Sequence, residues 1–449
     1  MHRALVIVIL LLGACPASGV EAPPPDPSRG DSYDGVKHGP DWRDDLLAVP
    51  RILLAPLRLT LKGLAVPVHK LLDWDEVNHV HETVFAALST RDGLIGVRPA
   101  FQYSISFAPI VGLRFFDQKL LGRGTDFEST AMTGGLNIFY GDVVMRPTPP
   151  ERALEVTVRA AYMKRNDQIF AAINYADDDA TFQQMRSRYS VDQFDAGGTL
   201  TYAARPGLFV DVTTMFGLRR FGDGKQIGSD RPITDVYCVR DIAGLCYPNT
   251  VDPVLVPGYQ HGTQFFRAGA TLRADSRDNW YRPSSGALVE AGLEWTHGLA
   301  FDDSQYVRMH AGLSAVMDLW QRTRTLVVRI EAVDLQQIGF YPVPFSELVI
   351  LGGPDTFRGF RPGRFRNYSS LFAGLEYRWP IWMWMDATLF AEYGGVFGPA
   401  FQGFELSRMR PDVGGGVRLR SSDSFYARAQ VAYGWGDGMQ AFFSVNTDF

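Results

Sequence analysis

The chain has 449 residues, of which 46% are hydrophobic and 13% aromatic, with 45 glycines. Its 44 basic and 49 acidic residues leave a net charge of −5, so there is no basic excess to recruit nucleic acid. Past the N-terminus no apolar run approaches the ~18 residues a membrane-spanning helix needs. That excludes a helical transporter, and a Gly- and aromatic-rich chain of mean hydropathy −0.07 has the composition of a transmembrane β-barrel.

The first residues read as a secretory signal. His2 and Arg3 precede the short apolar core Ala4–Leu12, too short to span a membrane. The stretch Leu12-Gly13-Ala14-Cys15 resembles a lipoprotein box, which makes Cys15 a candidate for lipidation; cleavage near Ala17-Ser18-Gly19 is the alternative. A signal over 1–14 is therefore expected, then a Pro-rich disordered tether over 15–50. Residues 51–92 are expected to form amphipathic helices at the periplasmic membrane surface, with Arg58 and Lys62 on one polar stripe. His79 and His81 stand two apart and would point to different sides of such a helix, so no metal site is expected there.

From residue 97 the apolar period is two. Val413, Gly415, Val417 and Leu419 alternate with Asp412, Gly414, Gly416 and Arg418; Val289, Ala291, Leu293 and Trp295 alternate with Glu290, Gly292 and Glu294. Such alternation requires strands with one apolar face. The segments exceed the ~5–6 residues usual in soluble strands. Their polar face carries both signs, and Trp295, Trp320, Trp379, Trp382, Trp384 and Trp435 gather at strand ends like interfacial girdles. Sixteen antiparallel strands are expected over 93–449. The third to fifth are placed at 129–140, 152–164 and 167–175, with a turn at Arg165-Asn166. The longest connections, 222–261 and 339–366, fall outside the cell if the first strand starts from the periplasm. Cys238 and Cys246 share the first of these loops and are expected to form a disulfide. Asp177-Asp178-Asp179 reads as a solvated loop tip before a cation site. At the C-terminus, Phe443, Val445 and Phe449 share one face and resemble the signal by which outer-membrane barrels are recognised for insertion.

The segment Leu351-Gly352-Gly353-Pro354-Asp355-Thr356-Phe357-Arg358-Gly359-Phe360 narrows the reading. Here the chain resembles the outer-membrane assembly-factor superfamily, the BamA/TamA and bacterial surface antigen barrels, whose sixth loop carries an Arg-Gly-Phe/Tyr tip. Gly374-Leu375-Glu376-Tyr377-Arg378 and Phe390-Ala391-Glu392-Tyr393-Gly394 are similar to the family's twelfth and thirteenth strands, with Glu where Asp is usual in the second. Asp275-Ser276-Arg277-Asp278-Asn279, with Pro283 and Gly286, resembles a periplasmic turn of the family. The resemblance implies that loop six folds into the lumen and that Arg358 pairs with Glu376, Glu392 or both. Gly359 is expected to let the tip turn and Phe360 to pack it down. The span from Cys15 to Arg91 has no βααββ pattern, so the POTRA domains of the family's insertases are not expected.

Three functions compete. The first is an assembly or translocation barrel moving protein or lipid through a seam between the first and last strands, with Pro99 and Pro109 weakening that seam. The second is a passive channel plugged by loop six, and the third an adhesin using loop 222–261. No Ser/His/Asp set suggests an enzyme, and no cofactor is implied. The expected location is the bacterial outer membrane with a periplasmic N-terminus. The expected partners are outer-membrane lipid, lipopolysaccharide and the barrel assembly machinery that inserts the chain itself.

Overall fold

The computed structural model describes residues 88–445, except 121–124, 148–152, 174–178, 280–282, 301–302, 321–322, 383–384 and 421–424. The signal, tether and helices expected before residue 88, including Cys15, His79 and His81, lie outside the described residues. So do Asp177, Asp178, Trp384 and Phe449.

Sixteen antiparallel strands close into a barrel. They are β1 (Ile95–Ser104), β2 (Ile110–Leu120), β3 (Thr125–Gly135), β4 (Ile138–Arg146), β5 (Leu154–Phe170), β6 (Ser187–Arg205), β7 (Leu208–Asp223) and β8 (Thr263–Asp275). The second half comprises β9 (Gly286–Gly298), β10 (Gln305–Trp320), β11 (Arg324–Gln337), β12 (Ser369–Trp382), β13 (Met385–Phe397), β14 (Arg410–Arg420), β15 (Phe425–Gly434) and β16 (Gly438–Val445). Each pairs with its neighbour, and β16 returns to β1 with Phe101 opposite Val445 and Ser104 opposite Phe442. Closure leaves no edge to aggregate.

The side-chain period decides which face meets lipid. Val289, Leu293, Ile330, Leu375, Val413 and Val431 are exposed on the outer wall. Their inward neighbours, Glu376, Glu392, Asp412 and Gln430 among them, are buried in the lumen.

Two early elements differ from the sequence expectation, and the differences cancel in the strand count. The expected strand 129–140 is the hairpin β3–β4, which turns after Gly135 at φ 120°, a backbone value that glycine tolerates. The expected strands 152–164 and 167–175 are one strand, β5, and Arg165-Asn166 is no turn. A bulge between Arg165 and Gln168 aims the Asp167 carboxylate at Arg165 (2.9 Å) and at the backbone N–H of Ala108 (2.9 Å). A bulge re-aims a side chain without ending its strand, and the broken alternation imitates a strand end. Pro109 lies in the connection between β1 and β2, while Pro99 is within β1.

Long connections gather at one end. Loop three carries the short helix α1 (Asp179–Met185) and loop four the helix α2 (Ile233–Val236). Loop four also holds a ribbon in which Cys246 pairs opposite Arg240 and Val251 opposite Cys238. Cys238 and Cys246 form a disulfide with Cα atoms 5.4 Å apart. Phe170, Tyr189, Ile233, Tyr237, Val251 and Tyr259 make a core around Phe345 of loop six. Loops four and six thus pack together over the mouth formed by β5–β7.

Candidate functional site

Loop six, residues 338–368, enters the barrel as a two-stranded ribbon in which Val349–Leu351 pairs with Phe365–Asn367. Gly352 and Gly353, at φ 109° and 123°, turn the ribbon into a tip. The tip carries its own core: Leu351, Phe357, Phe360 and Phe365 pack on Phe372 of β12 and Val396 of β13. The Phe357 and Phe360 rings are 4.3 Å apart and the Phe360 and Phe365 rings 4.9 Å. Aromatic packing on this scale fixes the tip before any charge is counted.

Arg358 leaves this core sideways and meets two strands. Its Nη1 donates to Glu376 on β12 at 2.7 Å, its Nε donates to Glu392 on β13 at 2.9 Å, and its backbone N–H donates to the other Glu392 oxygen at 2.7 Å. The guanidinium carbon lies 3.4 Å above the Phe390 ring. Phe390 occupies space left by Gly414 of β14, where a Cβ would stand 2.4 Å from the ring. Glu376 also takes Arg378 at 2.6 Å and Arg418 at 3.1 Å. Glu392 faces Asp412 directly across β13–β14, which sets two carboxyl groups side by side on the inner face. Arg358 bonds the first, and the Gly359 N–H donates to Asp412 at 2.7 Å. Arg358, Glu376, Glu392 and Asp412 are buried, so a charge there needs its partner.

Gly359 acts otherwise than the turn role expected of it. The left-handed residue at the tip is Phe357, at φ 62°; Gly359 is needed for space. A Cβ there would lie 2.5 Å from Cβ of Asp412 and 2.7 Å from the backbone nitrogen of Gly434. Gly434 is in turn crowded by the Gly359 carbonyl, so two glycines let loop and wall touch backbone to backbone.

Several anchors escaped the sequence. Asp412 was visible only as one inward position among glycines. Asp437, between β15 and β16, accepts the Arg361 N–H at 2.9 Å. Arg428 on β15 donates to Asp355 at 2.6 Å. The base of the loop is held separately. Glu347 takes Arg267 of β8 at 2.7 Å and lies 3.7 Å from Arg219 of β7, while its backbone carbonyl accepts from Arg308 of β10 at 2.6 Å. Burial pushes the Glu347 carboxyl up, but Arg219, Arg267 and Arg308 outweigh it and hold the group below the usual carboxylate range. Loop six therefore crosses the lumen from the β7–β10 wall to the β12–β16 wall.

The remaining expected residues lie elsewhere. Phe443 and Val445 are on β16 at the seam: Phe443 faces Tyr103 and its ring lies 5.5 Å from that of Phe101. Val445 packs with Leu419 and Ala427. Cys238 and Cys246 sit in loop four, away from the tip.

No curated protein matches the sequence. Among solved structures the chain resembles BamA from Haemophilus ducreyi lacking POTRA domains 1–3, at TM-score 0.54 and 12% identity over 78% of this chain and 70% of that one. CdiB from Acinetobacter baumannii gives 0.47 and 10% over 77% and 59%. CdiB from Escherichia coli gives 0.49 and 11% over 78% and 62%. The Omp85 superfamily domain matches residues 155–449, the part of the chain that builds loop six, its acidic seats and the last eleven complete strands, and the chain belongs to that superfamily: it is an Omp85-type β-barrel of the bacterial outer membrane.

Proposed function

We propose that this barrel moves protein or lipid across or into the outer membrane through the seam between β1 and β16, with loop six as an internal lock that holds the C-terminal wall in shape. The observation that carries the reading is the seat of Arg358, shared by Glu376 and Glu392 and reinforced by Asp412. A buried ion cluster built from one loop and three strands is a device for fixing one arrangement of wall and plug. The seam supports the same reading. At it, Phe101–Ser104 of β1 pair with Phe442–Val445 of β16, and Pro99 within β1 has no N–H to give the ladder. A passive pore is disfavoured because loop six fills the lumen from Glu347 to Arg361.

In this reading the long-loop end faces outward and the chain enters from the periplasm. Residues 51–88 stand at the periplasmic mouth, Cys15 is the point of acylation, and Phe443, Val445 and Phe449 present the chain to the assembly machinery. The test is depletion from the native host, followed by quantitative outer-membrane proteomics and lipid analysis. The reading expects a defined set of proteins or lipids to fall in the outer membrane. An unchanged membrane together with lost permeability to small solutes would favour the pore instead.

A further inference from the structure

We propose that loop seven, with the first residues of loop six, forms a lipid-seated shelf on the outer wall of β11–β13. It would extend the membrane-embedded surface upward on that side. The inference rests on the outer-membrane seating of the barrel and not on the transport reading.

Loop seven, between Phe397 and Arg410, does not stand up from the barrel; it folds back over the outside of it. Asp334 of β11 and Ser369 of β12 have the outward parity of exposed Ile330 and Leu375, yet both are buried. What covers them is loop seven: Asp334 accepts the Ala400 N–H at 2.9 Å, and Ser369 accepts the Phe401 N–H at 3.2 Å and donates to the Gly398 carbonyl at 2.7 Å. Ala400 and Phe401 are both left-handed, at φ 52° and 58°, a conformation kept only where surroundings over-determine it. On β13 the outward Tyr393 hydroxyl donates to the Leu406 carbonyl at 2.6 Å. Outward Phe397 is buried with its ring 5.2 Å from that of Phe404.

The occupant of the far side follows from continuity with the lipid-facing wall. A carboxylate and a hydroxyl aimed at lipid are costly unless satisfied; Gln336 and Ser369 bond Asp334 within the wall, and the loop's backbone groups complete the set. It then offers apolar surface in their place: Leu406 is 63% exposed, Phe404 is exposed, and Phe340, with Ile338 and Tyr341 beside it, is 93% exposed. Glu405 and Arg408 pair at 3.7 Å on the same loop, as suits headgroup depth. Large apolar side chains left bare mark an interaction surface, and this one is contiguous with the wall that acyl chains already cover. The chemistry it fits is the acyl–headgroup boundary of the outer leaflet.

The test uses nitroxide labels on single-cysteine variants Phe404→Cys, Leu406→Cys and Phe340→Cys. The full chain is reconstituted in lipid bilayers, with Cys15→Ser and the Cys238–Cys246 disulfide intact. Leu375→Cys serves as the mid-wall reference and Ile242→Cys, on the tip of loop four, as the water reference. Oxygen concentrates in lipid and a neutral nickel chelate in water. The proposal expects collision with oxygen to exceed collision with nickel several-fold at 404, 406 and 340, ordered between the two references. Labels at 404 and 406 that behave like Ile242 would overturn the shelf. A label at Leu375 that also reads as water would overturn the seating of the wall, and the shelf with it.

Discussion

Replacing Arg358 with alanine would leave two buried carboxylates, Glu376 and Glu392, without the fork that joins them. Breaking one side of a buried pair costs about 3–5 kcal/mol, so the loop tip should release and limited trypsinolysis of the folded barrel should cut within 351–366. Arg358→Lys is expected to rescue little, because an ammonium cannot bridge two carboxylates and cover the Phe390 ring at once. Gly359→Ala separates the two readings of that glycine. If space is the requirement, the added methyl meets Gly434 and Asp412 and costs about 1–3 kcal/mol as overpacking, read as a lower unfolding temperature. A neutral effect would mean that the tip backs away freely. The Arg358 seat was legible in the sequence because loop six and both strands resemble the family's, and parity along β12 and β13 aims both glutamates inward. Asp412 and Asp437 were not, since each is held first by a backbone N–H of the loop, and a backbone donor leaves no mark in a sequence.

At the scale of elements, loop six is held at both ends, and its base should respond to acid. Glu347 has its folded pKa lowered by surrounding arginines. The stability it contributes is therefore complete above the unfolded carboxylate value, about 4.3. It is lost as pH falls through the lower folded value. Loop-six protection from protease should hold at neutral pH and fail first at the base on acidification below about 4, and Glu347→Gln should weaken that protection already at neutral pH. Reduction of Cys238–Cys246 removes a constraint worth about 2–4 kcal/mol from loop four alone. Hydrogen exchange should rise over 238–251 while β5–β7 stay protected; wider loss would mean that the ribbon supports the wall. The long strands β6–β14 were readable because a period of two survives along most of each, with irregularities only near strand ends. The hairpin β3–β4 and the bulge in β5 were not. A one-residue bulge and a glycine turn both disturb the period, and alternation cannot tell an interrupted strand from two strands.

The whole molecule is a closed barrel with loop six bonded across its lumen. Loop six bonds β7, β8 and β10 at its base and, at its tip, β11–β15 and the turn between β15 and β16. The plug is thus tied to strands of both halves of the wall. Deleting 51–88 should leave a barrel that inserts, since the strands and Phe449 carry that information, but that no longer functions. Full complementation by the deletion would make the N-terminal segment dispensable. The most direct measurement concerns the seam itself. Gln102 and Ser444 stand opposite each other across β1 and β16, close enough for a disulfide. Gln102→Cys with Ser444→Cys, oxidised in the host, should abolish complementation of the depleted strain, and reductant should restore it. The matching bridge inside one hairpin, Ala432→Cys with Gln440→Cys, should be silent. A chain crosslinked at the seam that complements fully would contradict the account.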